Sequence, residues 1–228
     1  MTQSYLSKLR IELDQLGCQA LQIRFFSEIS ITLLSDILSV FVNSSCYYLE
    51  VLLTSTKEMT GDNLKKLFKT YSNFRVAVIH SSEEDKIVDF KDDCLARIIF
   101  TTTKFHSEAC CGVINEQYFI LNINSFTEVI NFNSCLNKKI AIDQQGEIKN
   151  CPSMLKSFGN IIDTSLLDVI QLKEFKKTWK INKDKIDICK DCEYRYICTD
   201  CRAYISSKKI NSKPLKCSYD PYIGKWKE

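Results

Sequence analysis

Glycine and proline are scarce in this chain, six and three among 228 residues. So few exclude collagen-like and low-complexity structure. Six glycines also nearly forbid a glycine-rich phosphate loop, and none is present. No apolar run approaches the roughly 18 residues that cross a bilayer. The opening MTQSYLSKLRIELDQLGC is polar and amphipathic with no apolar centre, which excludes a secretory signal. Histidine occurs only at 80 and 106, and neither His-Glu-x-x-His nor Gly-x-Ser-x-Gly is found. The net charge of +3 is too small to point to nucleic acid. With 45% hydrophobic and 26% charged residues, the composition is that of a soluble protein with a real core. Neither nucleic acid nor a membrane is expected as a partner, and the expected location is the cytoplasm.

Cysteine is abundant instead, with 12 residues. Without an export signal, disulfides are not the expected use of so many thiols, because the cytosol keeps them reduced. Metal binding or redox chemistry fits better. Cysteines 18, 46, 94, 110 and 111 are spread over the first 134 residues, whereas 135, 151, 189, 192, 198, 201 and 217 crowd into the last 94. Two regions with different chemistry are expected, 1–109 and 110–228.

The first region alternates helix and strand patterns. Residues 2–16 read as a helix with Tyr5, Leu9, Leu13 and Leu16 on one face and Gly17 as its stop. Residues 20–26 read as a buried strand. Ser30 is placed to cap a helix from Ile31 to Asn43 whose apolar face is Leu33, Leu34, Ile37, Leu38 and Phe41. Tyr47–Leu53 is the next strand, followed by a helix with Leu64, Leu67 and Phe68, then strands at Phe74–Ile79 and Ala96–Phe100. The acidic stretch 81–95 reads as a solvated crossover. Alternating elements imply βα units and a parallel sheet. Four strands are too few for a closed eight-stranded barrel, so the expected fold is α/β, a partial (β/α) barrel or an open parallel sheet. His80 ends a strand, where a structural role is the commoner one. His106 precedes Cys110 and Cys111 by four and five residues.

The second region carries the stronger signal. Cys135 and Cys151 are separated by ten residues, Gly146 and four more residues. The middle reads as a β-hairpin, with Asp143-Gln-Gln-Gly146 as its turn and Gly146 supplying a positive φ. Pairing Ile142 with Glu147 would set Cys151 opposite Lys138, with Cys135 about 10 Å further along the strand at ~3.3 Å per residue. A bend before Lys138 would bring the two thiols together. Next come Cys189-x2-Cys192-x5-Cys198-x2-Cys201, and finally Cys217. Thiolates this dense repel unless a cation holds them. Zinc ribbons normally space their pairs by 12–20 residues; short spacers plus a distant cysteine suit iron–sulfur clusters better, with zinc the alternative.

The whole order, Cys-x10-Gly-x4-Cys, Cys-x2-Cys-x5-Cys-x2-Cys, Cys, resembles the SPASM domain, the C-terminal extension of many radical SAM maturases. Seven motif cysteines are present, and the last close pair is one residue tighter than is often described. Phe158-Gly-Asn-Ile161 with a following helix, about Ser165 to Trp179, resembles the stretch after the second cysteine. Arg195 and the Cys201-Arg202 pair are also similar. More narrowly, Leu16–Phe26, Ile148–Met154, Ile197–Tyr204 and Lys213–Tyr222 resemble the peptide maturase of grasp-with-spasm systems. There the maturase works beside an ATP-grasp ligase and a precursor peptide.

The resemblance implies two auxiliary [4Fe-4S] clusters. Cys135, Cys151 and Cys201 would hold the first, and Cys189, Cys192, Cys198 and Cys217 the second. Cys110 or Cys111 would complete the first if residues 113–123 form a strand returning toward Cys135; otherwise one iron is open to substrate or water. Cys18, Cys46 and Cys94 are expected to be buried thiols packing as small hydrophobes. Relatives of this type are longer at the N-terminus, which leaves two readings open: a truncated form, or a cluster-binding protein with a degenerate barrel. The Cys-x3-Cys-x2-Cys triad that binds the S-adenosylmethionine-cleaving cluster does not occur. S-adenosylmethionine is therefore not an expected cofactor, and catalytic residues stay unassigned. Three functions stand open: a cluster-bearing maturation protein that binds a precursor peptide and an ATP-grasp ligase, an enzyme that modifies the peptide by electron transfer, and a zinc-binding or non-catalytic accessory protein.

Overall fold

A computed structural model describes residues 3–90 and 93–227, with the side chains of 3, 4 and 93–95 outside the description. The chain divides into two compact units, 1–107 and 108–228. Among the described residues, no helix is long and apolar enough to cross a membrane.

The first unit is built on one sheet. Helix α1 (Gln3–Gln15) precedes β1 (Ala20–Arg24); α2 (Ile31–Val40) connects β1 to β2 (Tyr48–Thr54), and α3 (Gly61–Thr70) connects β2 to β3 (Phe74–His80). A hairpin of β4 (Lys86–Phe90) and β5 (Asp93–Phe100) completes the order β1-β2-β3-β5-β4. All neighbours are parallel except β4, which runs antiparallel to β5. By the right-handed rule for parallel crossovers, α2 and α3 are expected on one face of the sheet. Strand β2 alternates accordingly: Leu49, Val51 and Leu53 are fully buried and the residues between them half-buried.

Ser30 caps α2 as read from the sequence, and Thr60 caps α3. The Ser30 hydroxyl accepts from the Leu33 amide at 3.1 Å and the Thr60 hydroxyl from the Asn63 amide at 3.3 Å. Gly17, at φ +62°, turns the chain out of α1, and the Cys18 amide bonds back to the Leu13 carbonyl.

Several expectations change. Helix α2 stops at Val40, short of Asn43, because the chain turns over at Phe41 and Asn43 is left-handed at φ +61°. Leu33 lies outside its apolar face and is 42% exposed. Strand β1 is an edge rather than a buried strand, with Gln22 and Arg24 facing solvent. The acidic stretch 81–95 is not a plain crossover, since it contains β4. Charges in an edge strand conceal its pattern: Asp89 lies opposite Arg97, and their side chains pair at 2.7 Å.

His80 is structural. It is buried, with Nε2 3.3 Å from both the Thr54 hydroxyl and the Phe25 carbonyl oxygen, and Nδ1 3.1 Å from the Ser81 hydroxyl. Phe74, 1% exposed, stacks on Phe68 at 4.2 Å. Phe74→Ala is expected to cost about 3–5 kcal/mol by cavity formation, while Ile87→Ala on the exposed edge changes stability by less than about 0.5 kcal/mol. Urea midpoints at constant slope check the contrast.

Candidate metal centre

The second unit has little regular structure. It contains α4 (Ile123–Asn131), a hairpin of β6 (Ala141–Ile142) and β7 (Ile148–Lys149), α5 (Leu166–Gln171), and a C-terminal hairpin of β8 (Tyr219–Asp220) and β9 (Lys225–Trp226). The helix expected from about Ser165 to Trp179 is broken: α5 ends at Gln171 and a 3-10 helix resumes over Phe175–Lys180.

The β6–β7 hairpin is present, one residue out of the expected register. Asp143 pairs with Glu147, so Ile142 faces Ile148 and not Glu147. The loop is the three residues 144–146, closed by a Gly146 amide bond to the Asp143 carbonyl and by Gly146 at φ +83°. The Asp143 carboxylate accepts from the amides of Gln145 and Glu147 at 3.0 Å each, which fixes that loop length. The bend falls at Lys138, left-handed at φ +52°.

Eleven described cysteines carry no disulfide, and the side chain of Cys94 lies outside the described residues. Seven of the eleven, together with Cys111, fall into two neighbourhoods. In the first, the Cys135 sulfur feels those of Cys151, Cys111 and Cys201, and Cys151 likewise feels Cys111 and Cys201. In the second, Cys198 feels Cys217 and Cys189, and both Cys189 and Cys192 feel Cys217. All four of the second group line one cavity, together with Lys183, Phe119, Tyr219 and Trp226.

Cys111 reaches the first group by an unexpected route. Residues 113–123 form no strand; a short 3-10 turn spans Glu108–Cys110 and another Glu116–Tyr118. The Lys216 ammonium instead clamps this stretch, donating to the carbonyls of Ala109 and Cys111. Gly112, at φ +85°, then lets the backbone close on Cys201: a Cβ at this position would stand 2.8 Å from the Cys201 sulfur. His106 is exposed and belongs to the first unit, while Cys110 and Cys111 belong to the second.

Burial and mutual repulsion favour the protonated form of Cys135, Cys151, Cys189, Cys192 and Cys198. Burial is the larger cause, pushing Cys189 up to about 11 and Cys198 to about 12, and it raises Cys135, Cys151 and Cys192 as well. Nearby cations oppose this: Lys183 acts on Cys189, Cys192 and Cys198, and the Lys139 ammonium lies 3.7 Å from the Cys135 sulfur.

A buried polar network, which the sequence reading missed, joins the two groups. Asp200 lies between Cys198 of one and Cys201 of the other. Its carboxylate accepts from Arg202 Nε at 2.6 Å, a second Arg202 nitrogen at 2.9 Å and Asn133 Nδ2 at 2.6 Å, and pairs with the Lys183 ammonium at 3.2 Å. The Asn133 side-chain oxygen accepts from the amides of Cys135 and Leu136 at 3.0 and 2.9 Å. All four side chains are buried. The signal in the sequence was Asp-Cys-Arg at 200–202; Asn133 and Lys183 carry no local signature.

Two further features position the second group. Ile188, immediately before Cys189, holds a left-handed φ of +68°, an outlier for a β-branched residue. Arg195 donates to the Cys192 carbonyl at 3.1 Å while lying 4.3 Å over the Tyr196 ring.

Among the described residues, no three His, Cys, Asp or Glu side chains are grouped closely enough to hold a single metal ion. Four thiolates around one zinc at ~2.3 Å would stand about 3.8 Å apart; ligands of a polynuclear cluster stand further apart, with the inorganic core between them. Residues 134–193 match the family model of SPASM, an iron–sulfur cluster-binding domain. No curated protein and no solved structure matches the chain. The SPASM match begins one residue before Cys135 and ends one residue beyond Cys192, covering Cys151 and Cys189. The match supports iron–sulfur binding, and the thiol-rich donor sets are chemically suited to it.

Removing Asp200 would leave Lys183 and Arg202 buried without a counter-charge. Asp200→Ala is therefore expected to lower stability by about 3–5 kcal/mol, against less than about 1 kcal/mol for the exposed Asp89→Ala. Burial opposes the Asp200 charge, but Lys183, Arg202 and Asn133 outweigh it and lower its pKa. Its stabilisation is thus complete at neutral pH and is lost as pH falls below the ordinary carboxylate range. Anaerobic urea unfolding of the metal-loaded protein at pH 7 measures both variants.

Proposed function

We propose that this chain holds two [4Fe-4S] clusters, one on Cys111, Cys135, Cys151 and Cys201 and the other on Cys189, Cys192, Cys198 and Cys217, and that it serves in the maturation of a ribosomally made peptide. The carrying observation is the division of eight cysteines into two neighbourhoods of four, with the SPASM match over four of them. The order of the cysteines, and the stretches Leu16–Phe26 and Lys213–Tyr222, support a place beside a precursor peptide and an ATP-grasp ligase, as in grasp-with-spasm systems.

When bound, such clusters supply one-electron transfer, with potentials set by charge, hydrogen bonds to sulfur and solvent exposure. The protein's own residues prepare the two sites differently. Lys183 and Arg202 place positive charge beside the second set, where four thiolates and a [4Fe-4S]2+ core together carry a charge of about −2. Phe119, Tyr194, Tyr219 and Trp226 form a connected aromatic wall against that set and restrict water there. In the first set Cys111 is exposed, so a substrate group has access from that side. With Cys111 in place both sets are complete, leaving no open iron for S-adenosylmethionine.

Cys192→Ser is expected to remove about half of the iron and leave the electron paramagnetic resonance signal of the first cluster. Cys111→Ala is expected to alter that first signal and spare the other. Cys18→Ala and Cys46→Ala are expected to change neither, and equal iron loss from Cys46→Ala would contradict the division. The reduced, fully loaded chain is expected to form no 5′-deoxyadenosine from S-adenosylmethionine, with or without peptide. Turnover measured by chromatography would overturn the closed assignment of the first cluster.

A further inference from the structure

Outside the two cysteine sets, the first unit brings together two thiols that the proposed function does not use. Cys18 lies two residues before β1 and Cys46 two residues before β2. The parallel ladder begins with Ala20 opposite Tyr48, so Cys18 and Cys46 continue its register by two positions. The bond from the Tyr48 amide to the Gln19 carbonyl, 3.1 Å, extends the pairing toward them. Neighbouring strands run about 4.8 Å apart, within the Cα separation of about 4.4–6.8 Å that a disulfide spans. The Cys18 thiol donates to the Ala20 carbonyl at 3.3 Å, and the two sulfurs shift each other's ionisation, Cys18 downward and Cys46 upward.

The surrounding chain holds them there. Asp14, at the end of α1, accepts from the Ser44 hydroxyl at 2.5 Å, the Ser45 amide at 2.7 Å and the Ser45 hydroxyl at 3.0 Å. The Ser45 hydroxyl also lies 3.0 Å from the Cys18 carbonyl oxygen, to which it donates. The segments carrying the two cysteines are thus tied through one carboxylate and one hydroxyl. Exposure separates their roles. Cys18 is half-buried and reachable, while Cys46 is fully buried.

We infer that Cys18 and Cys46 form a reversible disulfide when the chain meets a low-molecular-weight disulfide. The Cys18 thiolate attacks the small disulfide, forming a mixed disulfide and releasing one small thiolate, which takes up a proton. Cys46 then loses its proton and attacks the Cys18 sulfur, releasing the second small thiol. Two protein thiols are oxidised to one disulfide and one small disulfide is reduced to two thiols. The Cys46 thiol, partly offset by burial, lowers the Cys18 pKa to about 7, so the reachable sulfur is also the nucleophilic one near neutral pH. The nearby Asp14 carboxylate acts in the opposite sense. In a reducing compartment such a pair serves as a redox-responsive clasp rather than a permanent staple. Of the two thiols expected to be buried, Cys46 is buried and Cys18 is half-buried.

The test is peptide mapping of the full, cluster-loaded chain after anaerobic incubation with glutathione disulfide and quenching by iodoacetamide. The expected product is a single Cys18–Cys46 linked peptide that disappears on adding dithiothreitol. In Cys46→Ala the glutathione adduct is expected to persist on Cys18, and before oxidation Cys18 alkylates at least about tenfold faster than Cys46. The wild-type map decides the proposal even if that variant folds poorly. An unreacted Cys18, a persistent adduct on Cys18 in the wild type, or linkage of Cys18 to any other cysteine would overturn it.

Discussion

The second unit depends on one buried carboxylate. Asp200 stands between a cysteine of each set and gathers Asn133, Lys183 and Arg202 around itself. Each partner has a second task. Asn133 fixes the turn that presents Cys135, Arg202 binds the carbonyls of Ile210 and Ser212, and Lys183 faces the thiols of the second set. Burial disfavours the charge of this lysine, and the Asp200 carboxylate at 3.2 Å opposes that. Where regular hydrogen-bonded structure is sparse, this network does the work that a sheet performs in the first unit.

Burial raises the pKa of Cys135, Cys151, Cys189, Cys192 and Cys198, so a bound cation that holds these sulfurs as thiolates would couple ligation to folding of the region. A half-buried lysine takes part as well. Lys216, next to Cys217 of the second set, clamps the backbone of Cys111 in the first, and Gly112 provides the space for that approach. The two sets are therefore linked twice, through Asp200 and through Lys216.

Caps, periodicity and the three βα-linked strands of the first unit were legible because each depends on local chemistry: Ser30, Gly17 and the Leu64-Leu67-Phe68 face. Strand β4 was not, because Lys86 and Asp89 on an edge strand break the apolar alternation. In the second unit the cysteine spacing was legible, and so was the hairpin. Its register was missed because Gly146 serves as the bulge of a three-residue loop rather than the last residue of a four-residue turn. Cys111 was a candidate by sequence alone, but the route anticipated for it, a returning strand, was wrong. Asn133 and Lys183 could not be read at all, since their partner is 67 and 17 positions away in the chain.

The central claim is that eight cysteines hold two cubane clusters. Quantitative metal and acid-labile sulfide analysis of anaerobically purified wild-type chain, with Mössbauer spectra of the 57Fe-enriched protein, tests it most directly. Two [4Fe-4S] clusters predict about eight iron and about eight sulfide per chain, in diamagnetic [4Fe-4S]2+ form as isolated. Zinc without sulfide, or an iron content that stays near four after full reconstitution, would contradict the account.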